Sequence, residues 1–304
     1  MKIRSILVAT DFSPIARNVF DVALAIARAS GARMTLAHVL PLQVVVHAGL
    51  PIGISSEVER LEHKAREADR RRLEALAARA RRAGVRAQPE MREGDAASQL
   101  LRAARDVHAD LVVIGTHGRG NAAHLLLGSV AEKVVRSATS PVLVVKKGKP
   151  RRRGPVLIAL DESDMALRVA TAGTAIARNL RAKTRVVHAL PFAGITPETL
   201  ASAIGAPMMR RLAALGHSRA LASLTRTLRR AKAKTLRKDI LILEGRPQDV
   251  IVAAAAKCRP VLTVVGTHGR KGLSRIFLGS VAESVVRRAP SAVLVVRGKG
   301  AGRG

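Results

Sequence analysis

The chain alternates short apolar runs with longer stretches whose apolar positions recur every three or four residues. Residues 3–9, 34–39, 85–91, 111–114 and 142–145 read as strands, and the segments between them read as helices. Ser13 can cap the first helix, with Pro14 at its first position and the periodic pattern over 16–29. A long, heavily charged helix is expected over 57–83, one capped by Asp95 running to about 107, and a short one over 130–137. Near-continuous apolar strands alternating with helices predict an α/β fold. Its sheet is parallel, covered on both faces and joined by right-handed crossovers.

The pattern then repeats. Ile6-Leu7-Val8-Ala9-Thr10-Asp11-Phe12-Ser13 matches Val156-Leu157-Ile158-Ala159-Leu160-Asp161-Glu162-Ser163, and His38-Val39-Leu40-Pro41 matches His188-Ala189-Leu190-Pro191. Only 42–92 and 192–243 have diverged. Two copies are too few for a solenoid, so two tandem domains are expected, at 1–147 and 154–298, with the basic segment 148–153 as linker.

The most specific part of the repeat is a glycine array. Gly115-Thr116-His117-Gly118 is followed nine residues later by Gly128-Ser129, and Gly266-Thr267-His268-Gly269 by Gly279-Ser280. Each array follows an apolar run and precedes Ser-Val-Ala-Glu, which opens a helical pattern. Glycines let backbone N–H groups approach an anion, and a helix N-terminus favours phosphate. Arg119 and Arg270 follow the second glycine, where a guanidinium can reach a phosphate oxygen. Ser129-Val130-Ala131-Glu132 and Ser280-Val281-Ala282-Glu283 also fit a capping box, which needs no ligand. The array is neither a P-loop, because no Gly-Lys-Ser/Thr follows, nor a dinucleotide fingerprint. Asp11 and Asp161 end the first strand of each copy, where they can meet a ribose hydroxyl, a base amine or Mg²⁺, or bond their own turn. In a parallel sheet these strand ends share the crevice where strand order reverses.

Composition narrows the classes. The apolar runs are far too short to cross a bilayer, so no membrane role is expected. Cys258 is the only cysteine, which excludes internal disulfides and cysteine-based metal sites and suggests a cytoplasmic protein. The net charge of +31 peaks at 146–153 and over 210–238, a segment with no acidic residue. Such a surface attracts nucleic acid or other polyanions non-specifically. With no Trp or Tyr and four Phe, however, the chain has few platforms for base stacking.

The strand ending in Ala9-Thr10-Asp11-Phe12-Ser13, the His38-Val39-Leu40-Pro41 after the second strand and the glycine array resemble the universal stress protein (UspA) family, and within it the ATP-binding branch in tandem form. The resemblance covers essentially the whole chain. It implies two Rossmann-like domains of the adenine nucleotide alpha hydrolase type, each with a five-stranded parallel sheet of order 3-2-1-4-5. It also implies ATP at the switch point, with Mg²⁺ or Mn²⁺. Carried onto this sequence, the first site comprises Ala9, Asp11, Val39 beside the adenine, the phosphate loop Gly115, Thr116, His117, Gly118, Arg119, Gly120 and Asn121, and Gly128, Ser129 and Val130 at the terminal phosphates. The second comprises Ala159, Asp161, Ala189, Gly266, Thr267, His268, Gly269, Arg270, Lys271, Gly272, Gly279, Ser280 and Val281. The fifth strands resemble the family's pairing edge, which implies a pseudo-dimer inside one chain and allows a further homodimer.

The copies differ where it matters. Asp110 becomes Val261, Val39 becomes Ala189, and Phe12-Ser13-Pro14 becomes Glu162-Ser163-Asp164, so the first copy is expected to bind ATP more tightly. The expected function is ATP-linked conformational change or partner binding in stress response. The motif offers anion-binding amides but no evident residue to activate water, so hydrolysis is expected to be slow at most. The alternatives are an ATP-using enzyme on the same fold and a polyanion-binding protein.

Overall fold

The computed structural model describes residues 1–41, 52–116, 127–148, 151, 153–190, 197–267 and 278–298. The first half runs β1 (Ser5–Ala9), α1 (Pro14–Ser30), β2 (Arg33–Leu40), α2 (Ile52–Arg82), β3 (Ala87–Glu93), α3 (Ala96–Asp106), β4 (Leu111–Gly115), α4 (Ser129–Ser137) and β5 (Val142–Val145). The second runs β6 (Val156–Ala159), α5 (Ala166–Asn179), β7 (Thr184–Leu190), α6 (Pro197–Arg230), β8 (Ile240–Glu244), α7 (Pro247–Cys258), β9 (Leu262–Gly266), α8 (Ser280–Arg288) and β10 (Ala292–Val296).

Within each half all strands are parallel, in the order expected. The first half is ordered β3-β2-β1-β4-β5, and the second mirrors it as β10-β9-β6-β7-β8. The halves join edge to edge. β5 pairs antiparallel with β10, with Leu143 opposite Leu294 and Val144 opposite Val293, so one sheet of ten strands results.

Alternation along the strands separates two cores. Val8, Leu36 and Ile158 face Phe20 and Ile26 of α1, Leu73 of α2, Ile176 of α5 and Leu224 of α6. Leu7, Val112 and Leu157 face Leu100 of α3, Val134 of α4, Val250 of α7 and Val285 of α8. Helices therefore cover both faces. α1 shows why its sequence chooses a helix: Ile15, Val19, Ala23, Ile26 and Ala27 recur every three or four residues and are all buried. Pro14 opens it, and Gly31, at φ 69, ends it in the left-handed region, with its N–H on the Ala27 carbonyl.

The third strand begins two residues later than expected. The chain leaves α2 through a tight turn at Gly84 (φ 81), with the Val85 amide still on Ala80 O, and pairing starts only beyond it. α2 also starts earlier than 57, at Ile52. α6 is broken by Gly205, at φ 75, ahead of Pro207.

Two side-chain clasps span the β5–β10 seam. Just after β5, Lys146 Nζ donates to the Arg287 carbonyl at the end of α8, at 2.8 Å. Just after β10, Arg297 Nη1 donates to the Val135 carbonyl at 2.8 Å and to that of Arg136 at the end of α4. Each half thus uses a cation to satisfy the C-terminal carbonyls of the other half's helix. Burial pulls the Lys146 ammonium down to about 8.

Candidate functional site

In the first half a cavity of about 370 Å³ opens at the C-terminal ends of β1 and β4, where strand order reverses. Ala9, Asp11, Val39, Gly115, Thr116, Gly128, Ser129 and Val130 all line it. Residues 30 and more apart in sequence therefore meet at one crevice. His117, Gly118, Arg119, Gly120 and Asn121 lie outside the described residues.

The described ends of the glycine array are held together. The Gly128 amide donates to Thr116 O at 2.8 Å, and the Thr116 amide donates to Val145 O at 3.0 Å. The second half repeats both bonds, from Gly279 to Thr267 O at 2.8 Å and from Thr267 to Val296 O at 3.0 Å. The described ends of each array are thus fastened to each other and to the last strand of their half.

The capping-box alternative is not taken in either copy. The N-cap positions are Gly128 and Gly279, not Ser129 and Ser280, and no side chain caps either helix. Glu132 instead pairs with Arg136 at 2.9 Å, and Glu283 with Arg287 at 2.9 Å, one turn further on. A glycine N-cap bonded through its own amide leaves the first-turn amides of α4 facing the cavity, with the positive end of the helix dipole behind them.

The opposite wall is apolar. Ile15, Ala16 and Val19 of α1, Ala37 and Val39 of β2, and Leu100 of α3 complete the lining. Sequence reasoning missed α1 and α3 as walls; the available signal was the apolar first turn of the helix that follows Asp11. The cavity volume falls within the roughly 300–1,000 Å³ usual for small-molecule sites, with an apolar slot beside the uncapped first turn of α4. Asp11 also serves its turn: its Oδ1 accepts from the Ser13 amide at 3.1 Å and from Ser13 Oγ at 2.6 Å. It is the only carboxylate among the described lining residues. At the N-cap of α3, the Asp95 carboxylate is pulled down to about 2, by hydrogen bonds from Ser98 and then by Lys133.

His38 sits on the other face of β2. Its Nδ1 lies 2.8 Å from Thr10 O, its ring centroid 4.6 Å from that of Phe12, and its Nε2 3.5 Å from Asp69 Oδ2 of α2. A carboxylate far away in sequence therefore faces it, which spacing alone did not reveal. In the second half His188 keeps the backbone bond, with Nδ1 2.8 Å from Leu160 O.

The second set of residues occupies equivalent places. Ala159 ends β6, Ala189 lies near the end of β7, Gly266 ends β9, and Ser280 and Val281 open α8. Asp161 repeats the turn, accepting from the Ser163 amide at 3.1 Å and from Ser163 Oγ at 2.6 Å. His268, Gly269, Arg270, Lys271 and Gly272 lie outside the described residues. Because β5 and β10 are antiparallel, this second set faces the opposite edge of the sheet. Asp110, expected to distinguish the copies, is remote from the cavity. It lies at the other end of β4, where Oδ2 accepts from the amides of Arg4 at 2.8 Å and Ser5 at 3.2 Å.

A doubly wound parallel sheet with a crevice at its switch point places the chain among the Rossmann-like α/β proteins. More narrowly, the chain belongs to the universal stress protein family, whose model matches residues 2–146 and again 153–297. A universal stress protein of Methanocaldococcus jannaschii is 36% identical over 148 residues, 48% of this chain and 84% of its own length. One of Thermus aquaticus is 37% identical over 142 residues, 47% of this chain and 97% of its own. In fold the chain is similar to a universal stress protein from Archaeoglobus fulgidus, with a TM-score of 0.65 at 22% identity, covering 98% of this chain and 97% of that one. Among the described residues no helix is long and apolar enough to cross a membrane.

Proposed function

We propose that the first-half cavity binds an adenine nucleotide, ATP in particular, and that occupancy controls how this universal stress protein meets its partners in a stress response. The observation that carries this reading is the uncapped N-terminus of α4, fastened through Gly128 to Thr116 and facing an apolar slot. Val39, Ala37 and Val19 would flank the base, and the amides of Ser129 and Val130 would hold phosphate oxygens. Asp11 would meet the ribose or, with the nucleotide's own phosphates, a Mg²⁺ or Mn²⁺ ion. The bound nucleotide would supply charge for the amides to neutralise.

Slow hydrolysis at most belongs to this reading. The amides stabilise anions, and Asp11 is already engaged by Ser13. The first site is the tighter of the two, because Val39 offers a base more apolar surface than Ala189 does. The antiparallel β5–β10 seam supports the reading of the two halves as a pseudo-dimer within one chain.

The test uses the full chain. Val130→Glu places a carboxylate where the phosphates would lie, at a helix end that tolerates acidic residues. It should weaken ATP binding in calorimetric titration by about tenfold or more, through like-charge repulsion. Val281→Glu should affect only the weaker site. ATP binding that neither substitution alters would overturn the reading, as would purified protein that neither carries nor binds adenine nucleotide.

A further inference from the structure

The antiparallel seam brings the C-terminal end of β5 against the N-terminal ends of β6, β9 and β10, on the same edge of the sheet as the first-half cavity. A groove of about 1420 Å³ runs there, walled by α1, by the described connector residues after β5 and by the turns that enter the second-half strands. Ten of its described lining side chains are Lys or Arg, and two are Asp. Both Asp are engaged: Asp21 accepts from Arg79 at 2.7 Å, and Asp239 lies 3.7 Å from Arg185. Arg28, Lys147, Arg151, Arg153, Arg181 and Lys183 are exposed and have no carboxylate partner among the described residues.

So many like charges around one concavity repel one another, and hydrogen bonds to the backbone that carries them hold it in place. Asn18 Nδ2 donates to Gly148 O at 2.6 Å, and the Val261 amide donates to Pro155 O at 2.9 Å. Gly154, at φ 142, passes so close to the next turn that a Cβ would lie 2.9 Å from Arg259 O. The cationic wall is thus preformed, which lowers the cost of ordering it around an anion.

Two observations select the ligand. The groove is several times the size of the first-half cavity, too large for one small anion. None of its described lining residues is aromatic, so nucleic-acid bases would find nothing among them to stack on. We propose that this groove is a second binding site, for a flexible chain of phosphates without bases: inorganic polyphosphate. Its closely spaced charges hold condensed counterions that the cationic wall would release, and its narrow backbone follows the concavity.

The experiment measures anisotropy of labelled polyphosphate on the full chain across a salt series, with single-stranded poly(U) RNA of matched charge as competitor. Lys147→Ala/Arg151→Ala/Arg153→Ala should weaken binding at least tenfold and lower the log–log salt slope by about three, roughly one per lost cation. Arg181→Ala/Lys183→Ala tests the opposite wall independently and should lower the slope by about two. Arg210→Ala/Arg211→Ala/Arg219→Ala removes the same charge from the exposed surface of α6 and should change affinity less than threefold. Equal losses in the groove and α6 variants would overturn the proposal. So would RNA outcompeting polyphosphate of equal charge, or absence of binding to the wild type.

Discussion

At the scale of single residues, Lys146 has the most informative chemistry. Its ammonium is largely withdrawn from water at the seam, which holds its pKa at about 8 instead of 10.5. Below pH 8 it is charged in both folded and unfolded chains, and the folded chain carries the desolvation cost. Between about 8 and 10.5 the unfolded chain binds more protons, so this residue's contribution to stability rises with pH. Lys146→Met removes that dependence. Melting curves should therefore show wild type gaining on the variant from pH 8 to pH 10; a difference that is flat with pH would rule this account out. Residues of this kind were hard to read from sequence. Asp11, Gly115 and Gly128 announced themselves by repeating, whereas the Asp69 that faces His38 and the Arg287 carbonyl that receives Lys146 lie far away in the chain. At Ser129 the sequence left two readings open for a local reason: a capping box and a glycine N-cap one residue earlier share the same letters, and only backbone geometry separates them.

At the scale of elements, the two copies solve one packing problem in two ways. In the second half Gly173 of α5 lies so close to β6 that a Cβ there would sit 2.6 Å from Ile158 Cδ1. The equivalent pair in the first half is Ala23 over Val8, both buried. One methyl group has moved from helix to strand while the shared volume is kept, the kind of exchange cores tolerate. Gly173→Ala should thus destabilise by about 1–2 kcal/mol despite alanine's better helix propensity. Adding Ile158→Val should recover most of that in chemical denaturation; a double variant no better than the single would refute the coupling. The alternation of strands and helices was legible because both core faces obey simple periods. The start of β3 was not, because the turn at Gly84 takes up apolar Val85, with Arg86, before pairing begins at Ala87.

At the scale of the whole molecule, the β5–β10 ladder and its two clasps bind the halves into one sheet. Wild type is expected to melt in a single calorimetric transition. Removing both clasps with Lys146→Ala/Arg297→Ala should uncouple the halves and resolve two; one undivided transition in the double variant would assign the coupling to the ladder alone. Pairing at the fifth strands was readable only through family resemblance. Of the groove only the basic stretch 146–153 was readable, since Arg28 and Arg181 join it only once the seam is made. That seam also gives the molecule a direction. A sheet with near two-fold symmetry has been given a connector that crosses just one of its edges, so its two ends are chemically distinct. A partner arriving at the connector's end meets the first-half cavity and the cationic groove side by side; one arriving at the far end meets the first turn of α8. A duplicated domain has thereby become a polar object, able to present different faces to two neighbours at once.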